Sequence, residues 1–300
     1  MRWSPGKRSG NLRDRRASTG GGGIPLPGKL GGGLGTIIVI IVALLVGTGG
    51  DGGSTGTGGG ALGEILEQLG GPTVPAATDD ALDADAPDPE RRQVDFVSFV
   101  LDDVQGVWRE QFRRSGEQYR DATLELFRGR TSTACGTGTS DTGPFYCPPD
   151  QGVYIDLGFF RELSDRFGAP GDFAQAYVIA HEIGHHVQNL LGIDEQVRAR
   201  SEREPDREND LSIRQELQAD CFAGVWGHAA YTRELLESGD LEEGLSAAES
   251  VGDDRIQEAA GADVNPETWT HGSAAQRQTW FRRGYDSGDP ERCDTFSADL

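Results

Sequence analysis

His181-Glu182-Ile183-Gly184-His185 is the stretch of this sequence whose residue types and spacing point most directly to a reaction. Four residues is close to one helical turn, so the two imidazoles lie one above the other and can reach a single ion. Zinc suits such a pair, being tetrahedral and well matched to nitrogen donors. Glu182 follows the first histidine directly, where its carboxylate reaches a water held by the metal rather than the metal itself. Zinc draws the pKa of such a water down towards ~7, and a carboxylate that takes its proton completes a nucleophile able to attack a peptide bond.

A hydrolytic zinc site needs a third protein ligand and one open position. A further histidine in the HExxHxxGxxH pattern is excluded, because the glycine and third histidine fall on Gln188 and Leu191. Downstream, Glu216-Leu217-Gln218-Ala219-Asp220 offers two carboxylates, again four residues apart. Glu216 is the expected third ligand. Asp220 projects in the same direction and is expected to accept a hydrogen bond from a ligand imidazole, His181 first, fixing its tautomer. The small residues Ala219, Ala223, Gly224 and Gly227 allow this segment to approach the first helix closely.

The remaining histidines divide. His186 is rotated about 100° from His185 around a helix and reads as structural, as does His228. His271 opens Thr270-His271-Gly272-Ser273 just ahead of a helix, where a side chain can enter a cleft and steady a developing oxyanion; a structural role is the equal alternative. Four cysteines suggest two disulfides in an oxidising compartment. Cys135–Cys147 and Cys221–Cys293 are the favoured pairs, with Cys221 as a soft zinc ligand the minor alternative.

The elements that must carry these residues follow from periodicity. Asp172–Leu191 is the clearest helix, with Asp172 placed to cap it, Gly192 to stop it, and Phe173, Ala176, Tyr177, Ala180, Val187 and Leu190 on its core face. Leu211–Leu236 and Ser273–Tyr285 read as further helices, and so does Val94–Arg114. Ala122–Phe127 and Val153–Leu157 alternate as strands. The fold class is α+β, dominated by helices, with a small sheet.

Charge is unevenly spread along the chain. The net of −21 hides a leader, residues 1–33, with seven basic residues against Asp14 alone, a net of +6; the remainder is −27. A domain that acidic does not suit nucleic acid. The long glycine runs and scarce aromatics of the first ninety or so residues predict disorder. Within them, residues 34–50 hold the apolar run LGTIIVIIVALLV, in an uncharged stretch between Lys29 and Asp51. The run is short for a span of ~20 residues, but the basic flank and the lack of a small-residue cleavage site favour an uncleaved anchor over a signal peptide. The expected topology is a single-pass protein of the cell membrane, with the basic leader in the cytoplasm and the catalytic domain outside. Residues 51–93, Gly-rich and then acidic with Pro and Ala, read as a flexible tether with a short apolar stretch at 61–69, and residues 94–300 as the metallopeptidase domain.

The segments GPFYCPPD (Gly143–Asp150), VYIDLGFF (Val153–Phe160), HEIGHHVQNLLGI, ELQADCFAGVW (Glu216–Trp226) and the run from Thr270 to Phe296 resemble the bacterial neutral zinc metallopeptidase family. The basic start, Gly-rich leader and short apolar anchor share in the resemblance, which covers nearly the whole chain. It implies a zincin-like, gluzincin-type domain with His181, His185 and Glu216 holding Zn2+ and Glu182 catalytic. By analogy with zincin peptidases, Val153–Leu157 is the expected edge strand that aligns a peptide or protein substrate by main-chain pairing. Three functions compete: a membrane-tethered endopeptidase, a silent zinc-stabilised domain that binds peptides or envelope partners, and a hydrolase of something other than peptides. Glu182 favours catalysis over the silent domain, since a structural zinc site needs no carboxylate beside its first histidine.

Overall fold

The computed structural model describes residues 1–17 and 88–300. The chain opens on a short strand, β1 (Leu12–Asp14), and resumes with helix α1 (Arg91–Ser115). Val94, Val97, Leu101, Val104 and Trp108 recur every three or four positions and are buried, so one face of α1 packs into the core. Gly116, with φ of 80°, ends the helix in a left-handed turn that a side chain would disfavour. Next come β2 (Thr123–Phe127), a hairpin of β3 (Arg130–Thr133) and β4 (Gly136–Thr139), β5 (Phe145–Cys147) and β6 (Gly152–Asp156). The main sheet has the order β1-β2-β6-β5, with β1, β2 and β6 parallel and β5 antiparallel to β6.

Seven helices follow: α2 (Gly158–Asp165), α3 (Asp172–Leu190), α4 (Ile193–Arg203), α5 (Glu208–Thr232), α6 (Asp240–Ser250), α7 (Asp253–Ala259) and α8 (Ala274–Ser287). The described chain is thus a helix-dominated α+β domain with a small sheet, the arrangement of a zincin-like domain. Helix α3 is buried on nearly every side, between α1, α5 and α6. Its crossing with α5 is close because residue 184 is glycine: a Cβ there would stand 3.0 Å from the Ala219 carbonyl oxygen. Helices α5 and α8 meet still more tightly, where a Cβ on Gly224 would collide with the Phe281 carbonyl and one on Gly284 with that of Cys221. Disulfides join Cys135 to Cys147 and Cys221 to Cys293, the first closing the turn beyond β3 onto β5 and the second tying α5 to the tail.

Several expectations need correction. Residues 1–17 are not a separate leader; they lie on the body and supply its edge strand β1, because their arginines pair with its carboxylates. Asp172 does not cap α3. Gly171 holds the cap position, and the Asp172 carboxylate instead accepts a hydrogen bond from the Met1 ammonium at 2.7 Å. The expected edge strand, Val153–Leu157, is β6 and lies inside the sheet, because the short Phe145–Cys147 strand pairs on its free side. The helix expected over Leu211–Leu236 runs instead from Glu208 to Thr232. The anchor at 34–50, the stretch 61–69 and the tether up to residue 87 lie outside the described residues. Among those described, no helix is long and apolar enough to cross a membrane.

Candidate metal centre

Helix α3 presents His181, Glu182 and His185, and α5 crosses it with Glu216 and Asp220 facing them. His181 Nε2 lies 3.2 Å from Glu216 Oε2, and His185 Nε2 lies 3.4 Å from Glu216 Oε1. The two imidazole rings are perpendicular, with centroids 4.8 Å apart. One donor atom from each of the three residues falls within 4.8 Å of the others. All three side chains are nearly inaccessible to solvent.

The far side of each imidazole is anchored. His181 Nδ1–H donates to Asp220 Oδ1 at 2.9 Å, and His185 Nδ1–H to Gln188 Oε1 at 2.9 Å. Each bond leaves the lone pair on Nε2, the atom that points at Glu216. Gln188 is itself held, its amide donating to the Gln215 carbonyl at 2.7 Å and to Gln218 Oε1 at 3.1 Å. Asp220 is fully buried and fully engaged. It accepts from Tyr177 Oη at 2.5 Å and, bidentately, from Arg277 Nε at 2.8 Å and Nη2 at 2.9 Å.

The electrostatics of this cluster call for positive charge. Burial alone would raise the Glu216 carboxyl, but the two histidines hold it well below its usual range. Burial likewise works against a charged His185, yet the charge and hydrogen bonds of Glu216 push it up to about 10. Glu182 is raised, because burial dominates and its counter-charges only soften the effect. Its Oε2 is buried with no hydrogen-bond partner among the described residues. Such an atom is costly unless a ligand completes it.

This donor set fits zinc: two imidazole nitrogens with orienting partners, one carboxylate, and an unsatisfied carboxylate oxygen beside them. Cys221 is disulfide-bonded and so is no ligand. His186 accepts from Tyr146 Oη at Nδ1, 2.9 Å, and donates from Nε2 to the Arg120 carbonyl at 2.6 Å; His228 Nδ1 donates to the Tyr285 carbonyl at 2.7 Å. Both are structural.

A cleft opens over Glu182 and Glu216. Phe159, Phe167, Val178 and Ile256 contribute apolar walls, and Gly143 and Pro144, just ahead of edge strand β5, line one rim. His271 faces the same cleft and is buried, its Nδ1–H donating to Asp253 Oδ1 at 3.0 Å. The other oxygen of Asp253 accepts the backbone N–H groups of Thr270, His271 and Gly272 at 2.7–3.0 Å. Burial would raise Asp253, but the histidine and these donors hold it below its usual value. His271 Nε2 is buried and has no partner among the described residues.

Sequence reasoning missed Arg277, Tyr177, Gln188 and Asp253. Tyr177 and Gln188 carried a faint signal, lying four residues before His181 and three after His185 on one helix. Arg277 and Asp253 carried none, since each meets its partner only through the tertiary fold.

A helix carrying HExxH, crossed by a second helix carrying Glu216 and backed by a small sheet, is the arrangement of a zincin-like domain. Residues 1–296 match the family described as "Putative neutral zinc metallopeptidase", and the chain belongs to that family. It is 45% identical to the uncharacterized protein YpfJ of Escherichia coli K12 over 303 residues, covering all of both chains. It is also 49% identical over 191 residues to the uncharacterized protein Rv2575 of Mycobacterium tuberculosis H37Rv, covering 60% of this chain and 64% of the relative. No solved structure matches it.

Proposed function

We propose that this chain is a zinc-dependent endopeptidase, held at the cell membrane through residues 34–50 and acting on peptide or protein substrates outside the cytoplasm. The observation that carries the reading is Glu182: a buried carboxylate oxygen without a partner among the described residues, beside three convergent candidate donors and at the wall of a cleft. His181, His185 and Glu216 would hold the ion. Zinc supplies Lewis acidity, which activates water and polarises a carbonyl. Glu182 accepts the proton of the attacking water and then delivers it to the leaving amine; its raised pKa, caused chiefly by burial, suits a group that must do both. Asp220 fixes the His181 tautomer, and Arg277 keeps Asp220 in place and balances its charge.

His271 turns Nε2 into the cleft from a position braced by Asp253. Placed there, the His271 ring faces the oxyanion that forms as the peptide carbonyl is attacked and can steady it by a hydrogen bond from Nε2. With β6 inside the sheet, β5 takes over as the strand available to align a substrate, since Gly143 and Pro144 lead from it into the cleft. The two disulfides support an extracytoplasmic site of action. The uncharged stretch around residues 34–50 supports membrane attachment.

Glu182→Gln tests the reading with an unfolded protein such as reduced casein as probe. The variant should keep its zinc and its thermal midpoint while cleavage falls by at least ~100-fold. Cleavage at the wild-type rate would remove Glu182 from the chemistry.

A further inference from the structure

Six basic residues fall within positions 1–17, and the acidic body neutralises most of them. Arg8 Nε lies 2.8 Å from Asp95, Arg15 Nε 3.2 Å from Glu125, and Arg2 Nε 3.9 Å from Glu237. Arg16 is nearly inaccessible to solvent, with Nη2 2.7 Å from Asp88 and Nη1 2.6 Å from Glu90. The main chain is committed as well. Arg2 N–H donates to the Leu235 carbonyl at 2.7 Å, Leu124 N–H to Asn11 at 2.9 Å, and Arg15 N–H to Leu126 at 2.8 Å. Trp3 packs on Phe96 with ring centroids 5.2 Å apart.

These contacts constrain the topology of the whole chain. The apolar run lies between Arg16 and Asp88, and those two side chains touch. A single crossing would place ~30 Å of hydrocarbon between them. It would also pull β1 out of the sheet, since a strand cannot pair across a bilayer. Of the five arginines that would hold a leader in the cytoplasm, four are here paired with carboxylates of the body.

We propose that residues 1–17 lie on the same side of the membrane as the metal centre, in place of the single-pass topology expected from the sequence, with the leader and the domain on opposite sides. The N-terminal segment is then a fixed part of the domain and travels with it. This goes beyond the peptidase reading and does not depend on it.

Membrane-impermeant maleimide labelling of the full chain in bacterial cells tests the proposal. Lys7→Cys and Glu117→Cys each place a free thiol at an exposed position, one in the segment and one on the body, while the native cysteines are all paired. The two positions should respond alike. Labelling of both in intact spheroplasts supports the proposal and places the domain outside. Labelling of both only after lysis also supports it, while overturning the extracytoplasmic reading. If one position labels in intact spheroplasts and the other only after lysis, the proposal is wrong.

Discussion

Two acidic clusters lie along α3, and they differ in where their positive charge comes from. At its N-terminal end, Asp172 and Asp240 receive the Met1 ammonium at 2.7 and 3.2 Å, with Glu237 at 3.3 Å. Ten residues further on, at Glu182, the carboxylates of Glu182, Glu216 and Asp220 gather around two histidines. The first cluster is complete, because the chain supplies its own cation. Asp172, Asp240 and Glu243 also come close enough to suggest a metal, but the ammonium already answers their charge. In the second cluster Arg277 pairs closely with Asp220, at 2.8 Å, and reaches Glu216 only at 4.0 Å, on the side away from His185 Nε2's 3.4 Å contact with Glu216 Oε1. Proximity of carboxylates therefore does not mark a metal site. What sets the proposed centre apart is a pair of imidazoles with their far sides anchored, beside a buried oxygen that has no partner among the described residues.

The largest expected effect separates the roles within the second cluster. Glu216→Ala removes the sole anionic donor, and zinc affinity measured by chelator competition should collapse. Asp220→Ala leaves all three donors and removes the group that orients one of them, so a loss nearer ~10–100-fold is expected. Equal losses in the two variants would erase the distinction between ligand and orienting residue.

Arg277→Met comes next. It strands Asp220 as a buried charge with only a tyrosine and a histidine beside it, and breaking a buried pair in this way costs about 3–5 kcal/mol. Denaturant unfolding should show that loss. A change below about 1 kcal/mol would mean that Arg277 does not compensate Asp220.

What was legible in the sequence was what repeats locally. Helix α3 ends within a residue of its expected limit, and HExxH placed both imidazoles on one face because four residues nearly complete a turn. Glu216 and Asp220 followed by the same rule, and the accepted bond at His181 is where it was expected. The contacts that span the chain were hidden. Arg277 lies 57 residues from Asp220, and a lone arginine on a helix ordinarily reads as solvated. Strand β1 has three residues, no apolar alternation and a partner more than a hundred positions away, so a basic Gly-containing start read as disorder. The charge asymmetry was visible, but that the leader's arginines pair with carboxylates of the body was not, since those partners lie tens to more than a hundred positions away.

The smallest expected effect belongs to the first cluster. Burial alone would lower the Met1 amino group, but Asp172 and Asp240 raise it above its ordinary 8.0. A group raised in the folded state contributes stability that is full below pH 8.0 and lost as pH rises through the folded value. The wild-type thermal midpoint should therefore fall between about pH 8 and 10 by more than that of Asp240→Asn, which lacks part of the receptor. Parallel curves would show that the ammonium contributes nothing there.

Zinc content of the purified full chain tests the central claim most directly. Elemental analysis of the wild type after dialysis should find about one zinc per chain, and the His181→Ala/His185→Ala double variant, still folded by circular dichroism, should retain almost none. A double variant that stays fully loaded, or a wild type that binds no zinc at all, would contradict the account.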